Sequence, residues 1–154
     1  MSAVPAPEAG ALRARAQRLL ARREHSRDEL RRKLGAQEAV PADVVEAVLD
    51  ELQQAGWLSE QRLAEQLVRA ARDRYGSRRV LQRLREKGIS GETLEQATAS
   101  LAAQDLDSAR ALWRKRFGKP PATLQEKARQ ERFLAGRGFS GEVIGRLLGH
   151  LDDD

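Results

Sequence analysis

The sequence predicts an all-α chain: three tandem three-helix repeats of about 50 residues, stacked into an elongated, curved array. Three observations lead there. Apolar residues recur at helical spacing, with no convincing alternation at period two. Ala, Leu, Arg, Glu and Gln, all good helix formers, abound, while β-branched residues are few. One phrase is also written twice, GISGETL at 88–94 and GFSGEVI at 138–144, fifty positions apart.

The elements follow in order. Leu12, Ala16, Leu19 and Leu20 fall at i, i+4, i+7 and i+8, one apolar face of a first helix. SRDEL then places Ser26 three residues before Glu29, a capping box that opens a second helix. AVPADVV opens a third, with the stripe Val44, Val45, Val48, Leu49 and Leu52. It is a weaker copy of the repeated phrase: Pro41 stands where the others have Ser90 and Ser140, and Asp43 where they have Glu92 and Glu142.

The second unit repeats this order. Its first stripe is Leu63, Ala64, Leu67, Val68, Ala71 and Tyr75. SRRVLQRLREKG at 77–88 repeats the Ser-Arg-x-x-Leu of SRDELRRKL at 26–34, offset by 51. RYG at 74–76 and RFG at 116–118 end the first helix of units two and three. Ser59, Ser77, Ser90 and Ser140 precede stripes as N-caps do. Glu92 and Glu142 fall in first turns, where a carboxylate suits the helix dipole. Gly35, Gly56, Gly76, Gly88, Gly118 and Gly138 follow the ends of stripes as stops. The expected division is a flexible segment at 1–10, units at 11–57, 58–103 and 104–151, and an acidic tail at 152–154.

The net charge of +5 and pI of about 10.2 favour polyanionic partners. The charge follows the repeat. Residues 1–35, 61–90 and 109–139 carry nine Lys and Arg each against four, three and two acids. Residues 36–60 and 91–108 carry no base at all, and 140–154 only one. The first two helices of each unit are thus basic and the third acidic. Either the basic stripe meets a phosphate backbone or an acidic protein groove, or each acidic third helix packs beside the next basic first helix and the pairs cancel. Cancellation does not easily explain the density of RREHSRDELRRK (22–33) or RYGSRRVLQRLREK (74–87). In WRKRFGKPP (113–121), Trp113 and Phe117, four apart, read as one core face. Arg114, Lys115, Arg116 and Lys119 are left for contacts. The contact candidates are therefore Arg22, Arg23, Arg27, Arg31, Arg32, Lys33, Arg74, Arg78, Arg79, Arg83, Arg85 and Lys87, with those four.

Chemistry is not expected. The chain has no cysteine, and its two histidines, His25 and His150, sit at opposite ends. No phosphate loop, carboxylate pair or triad stands out, so no cofactor, metal or enzymatic activity is predicted. MSAVPAPEAG lacks the basic leader and apolar stretch of a secretory signal, and no run of eighteen apolar residues occurs. A cytoplasmic monomer away from membranes is expected.

The stretches RREHSRDELRRKL, GWLSEQRLAEQLVRAARDRYGSRRVLQRLREKGIS and RFLAGRGFSGEVI resemble the RecX regulatory proteins. The resemblance runs from about Ala11 to Leu148. Its most specific parts are Gly56-Trp57-Leu58-Ser59-Glu60 and the Lys87-Gly88-Ile89 and Arg137-Gly138-Phe139 endings. Ser59 departs from the Asp-Glu pair common there, and Pro120-Pro121 lengthens a loop of unit three. The resemblance implies tandem three-helix repeats and binding to the RecA recombinase, chiefly its nucleoprotein filament on single-stranded DNA, in the helical groove. It also implies inhibition of ATP hydrolysis, strand exchange and SOS coprotease action, and direct contact with single- or double-stranded DNA in some members. Two other readings compete: a tandem helix-turn-helix DNA-binding protein, and a nuclease, against which the absence of a clustered acidic or His site speaks.

Overall fold

The computed structural model describes residues 6–36 and 40–151; the acidic tail expected at 152–154 lies outside them. The described residues form eight helices and no strand. They are α1 (Ala6–Arg22), α2 (Arg27–Gly35), α3 (Ala42–Gln54), α4 (Glu60–Ala71), α5 (Ser77–Glu86), α6 (Gly91–Arg116), α7 (Leu124–Gly136) and α8 (Gly141–Leu151). None is long and apolar enough to cross a membrane. α1 begins at Ala6, inside the segment expected to precede the first unit.

Two compact units emerge. One holds the chain up to Leu63 together with Lys87–Ile89; the other holds Ala64–Glu86 and the chain from Ser90 on. In the first, the stripes read for the first and third helices meet the second helix in one core. Leu12 and Ala16 of α1, Leu30 and Leu34 of α2, and Val44, Val45, Val48, Leu49 and Leu52 of α3 are buried together with Leu58. In the second, Ala109, Leu112 and Trp113 of α6 pack with Leu134, Phe139, Ile144, Leu147 and Leu148. Phe139 and Leu147 are wholly buried, each worth about 2–3 kcal/mol in transfer from water.

The helix starts were legible in most cases. Ser26 accepts from the Glu29 amide at 3.1 Å, while the Glu29 carboxylate accepts from the Ser26 amide at 3.3 Å. Ser59 and Ser140 cap α4 and α8 through the Arg62 and Val143 amides. Two expected caps behave differently. Ser90 holds the N-cap position of α6, but its hydroxyl makes no capping bond. Ser77 is the first residue of α5, and its hydroxyl donates to Asp105 at 2.6 Å. Asp105 also accepts from the Ser77 amide at 3.1 Å, so a carboxylate of α6 caps α5 from across the fold. Thr123, not foreseen, caps α7 through the Glu126 amide at 3.1 Å.

Nine helices were implied by three complete triplets. The third helix of unit two and the first of unit three are instead one continuous helix, the 26-residue α6. Between Glu92 and Phe117 the sequence holds neither Gly nor Pro, so nothing breaks it. Phe117 stands just past its end and packs edge-on against Phe133, with ring centroids 5.4 Å apart. Of the expected Trp113 and Phe117 core face, Trp113 is buried and donates its indole N–H to Gln130 at 2.8 Å, while Phe117 is partly buried against the same core.

Candidate partner-binding surface

The sixteen candidate cations separate into two kinds. On α2 Arg27 and Arg31 are paired. Arg27 donates to Glu46 at 2.9 Å and Asp50 at 2.7 Å, and also to Gln53; Arg31 bonds Glu46 at 2.6 Å and reaches Asp28. Both arginines are held above the usual guanidinium range: for Arg27 hydrogen bonds to Glu46 and Asp50 outweigh the opposing burial, and for Arg31 the bond to Glu46 dominates. Glu46 is correspondingly held low by Arg31 and Arg27. Arg13 of α1 adds a bond to Glu51 at 2.7 Å.

Around the capping box the pairing is tighter. The Glu29 carboxylate, with 9% of its side chain exposed, receives Lys87 at 2.8 Å and Arg23 at 3.0 Å. Burial pushes this carboxyl up, but the bonds from Lys87, Arg23 and the Ser26 amide prevail and hold it at about 2. His25 is buried beside them, its Nδ1 facing the Arg23 carbonyl at 3.0 Å and its Nε2 facing Lys33 at 3.0 Å. Nδ1 therefore carries the proton and Nε2 accepts from the ammonium. Burial lowers the imidazole, and the neighbouring cations add to this.

These contacts amend the charge reading. In the first compact unit the acidic third helix neutralises the basic helices of its own triplet, rather than the first helix of the next. Arg23, Arg27, Arg31, Lys33 and Lys87 are engaged within that unit, while Arg22 and Arg32 are exposed at its surface.

α5 and the turn before it are the opposite case. Arg74, Arg78, Arg79, Arg83 and Arg85 are all exposed, and among the described residues none has a carboxylate within ion-pair distance. The Arg79 guanidinium lies over the Tyr75 ring, 4.1 Å from its centroid. Arg137 lies 5.7 Å from the same ring and 5.1 Å from Phe133, which Arg116 approaches at 5.3 Å. Guanidinium and aromatic groups thus alternate from Arg79 to Arg116. Such stacking orients the cation while leaving its N–H edges for a carboxylate or phosphate.

The backbone fixes this ladder. The turn after α4 meets the turn before α8: Gly76 N–H donates to the Arg137 carbonyl at 2.8 Å, and Arg78 N–H to that of Gly138 at 3.0 Å. A Cβ on Gly76 would stand 2.5 Å from the Gly138 and Phe139 backbone. Gly138 has φ of +99°, and a Cβ there would meet Arg79 Cβ at 2.6 Å. The glycines expected as helix stops are therefore also the point of closest approach. Beside them, Arg78, Arg79 and Arg85 line a groove of about 740 Å³ floored by Ala135 and Gly136.

Arg114, Lys115 and Lys119 are exposed as expected, and the Lys119 carbonyl accepts from Gln130 at 3.2 Å. The members missed from sequence are Arg137, Phe133 and the partly exposed face of Tyr75. The recurrence of Arg beside an aromatic residue, in Arg74-Tyr75, Arg116-Phe117 and Arg132-Phe133, was the available signal. Among the described residues no cluster of three or more His, Asp or Glu could hold a metal ion.

Comparison with known proteins accords with this architecture. Models of the first, second and third three-helix domains of RecX match residues 13–52, 59–97 and 103–148. The regulatory protein RecX of Chromobacterium violaceum is 46% identical over 150 residues, 97% of each chain. That of Ralstonia pickettii is 46% identical over 142 residues, covering 92% of this chain and 89% of its own. The crystal structure of RecX from Lactobacillus salivarius superposes with a TM-score of 0.82 at 19% identity, over 97% of this chain and all of that one. With three successive domain models and close relatives along nearly its whole length, the chain belongs to the RecX family of regulatory proteins.

Proposed function

We propose that this chain regulates RecA by binding its filament on single-stranded DNA, within the helical groove, and that it has no catalytic activity of its own. Bound there, it inhibits ATP hydrolysis, strand exchange and SOS coprotease action. The observation that carries the reading is the arginine surface of α5, which meets no carboxylate among the described residues and extends through Tyr75 and Arg137, in a chain whose relatives are named regulatory proteins. An uncompensated cationic face is stable in water and gains most when it meets a fixed array of anions, so its affinity falls with salt.

The test is RecA ATP hydrolysis on single-stranded DNA, with the chain titrated below RecA concentration. Inhibition well below one molecule per RecA is expected for a regulator acting on filament growth. Inhibition only when the chain covers the DNA would favour the second reading, a DNA-binding protein of tandem helix-turn-helix type. The free guanidinium edges of the ladder suit phosphates as well. A mobility shift with one specific and one scrambled duplex separates these readings, since strong preference for one sequence belongs to the second alone.

A further inference from the structure

A second opening in the latter compact unit has a different character. A groove of about 760 Å³ runs along α7 and α8. The apolar surface open to it is that of Leu124, 86% exposed, with Ala122 and Ala135, while Phe139, Ile144 and Leu148 lie buried beneath. Along α8 it is lined by Gly141, Gly145 and Gly149. Their spacing of four puts all three on one face of the helix.

These glycines have no internal reason. A Cβ added at any of them would meet nothing within 4 Å, so the packing of this chain does not require their small size. Apart from Pro, Gly is the poorest helix former, yet an 11-residue helix carries three. What they provide is a track on which another backbone can approach α8 closely. From Gly141 to Gly149 that track is about 12 Å long, roughly two helical turns.

The rim supplies the charge. Arg78, Lys127 and Arg132 border the groove, and none is in an ion pair among the described residues. Glu131 is the one carboxylate among its lining residues. An apolar floor under a cationic rim complements a helix with an apolar face flanked by Asp or Glu, the helix-in-groove mode of recognition. A nucleic-acid strand would use the rim but not the apolar, glycine-lined floor.

We propose that this groove docks an acidic amphipathic helix of about two turns or more and, on the reading above, that a RecA protomer carries that helix. The groove and the arginine surface of α5 are then two contacts that adjoin at Arg78, which borders both.

The experiment measures binding to RecA filaments assembled on poly(dT) with a non-hydrolysable ATP analogue, and to poly(dT) alone. Gly145→Leu fills the groove with a better helix former, so its melting temperature should not fall. Lys127→Glu with Arg132→Glu reverses the rim on exposed positions. Both are expected to weaken filament binding by about ten-fold or more, with binding to poly(dT) unchanged. Filament binding equal to that of the unaltered chain would overturn the groove proposal and leave RecA regulation standing. Equal loss on poly(dT) would overturn it in favour of nucleic acid in the groove. If the unaltered chain does not bind the filament at all, the RecA reading falls and this proposal falls with it.

Discussion

Helices α2 and α5 begin with the same phrase and have opposite surfaces. In SRDELRRKL, Asp28 and Glu29 follow Ser-Arg; in SRRVLQRLREKG the corresponding positions are Arg79 and Val80. These two residues and the carboxylates of the neighbouring helix set the chemistry of the face. Glu29 draws in Lys87 and Arg23, and α3 supplies Glu46 and Asp50 for Arg27 and Arg31. Val80 is instead a buried apolar residue, and the arginines around it face water. A high density of arginine therefore means structure in one copy and an open surface in the other. Local charge counting alone does not distinguish them.

Substitutions on the two helices test this contrast. The largest loss is expected for Glu29→Ala, which leaves Lys87 without its buried partner and dismantles the capping box. It should cost about 3 kcal/mol in chemical denaturation. The same pair gives a pH dependence. The Glu29 carboxyl is near 2 in the folded chain and near 4.5 when unfolded, so its contribution is complete above about 4.5. It is lost as pH falls from there towards 2, and Glu29→Gln should flatten that limb of the stability profile. An acid limb unchanged by Glu29→Gln would remove the pair from the account.

Gly76→Ala comes next, at about 2 kcal/mol, because the added carbon meets backbone that cannot step aside. Its unfolding should be followed alongside Gly141→Ala, which meets nothing and should cost little. Ser26→Ala removes one half of the capping box and should cost about 1 kcal/mol. Smallest of all in stability is Arg83→Ala with Arg85→Ala, within about 0.5 kcal/mol, because both are exposed and neither has an ion-pair partner among the described residues. A loss like that of Glu29→Ala would mean that α5 is as structurally committed as α2.

Local features were readable from the sequence. The Ser26 capping box needs only residues three apart, and the stripes of α1, α3 and α4 follow from a 3.6-residue period. Continuity of α6 was readable too, since no Gly or Pro interrupts residues 92–117. Thr123 with Glu126 has the spacing of the capping box at Ser26. The partners of Arg27 and Arg31 were not readable, because they depend on how α3 lies against α2, 15 to 23 residues away in sequence. The cap on Ser77 comes from Asp105, 28 residues on. The ladder from Arg79 to Arg116 joins three helix ends that only the folded chain brings together.

The most direct measurement is the concentration of Arg78→Glu, Arg79→Glu chain needed to halve RecA ATP hydrolysis on single-stranded DNA, with helicity followed on the same sample. This concentration is expected to rise about ten-fold or more while helicity is unchanged. Inhibition equal to that of the unaltered chain would contradict it, and would show that the open arginines of α5 are not the surface on which regulation rests.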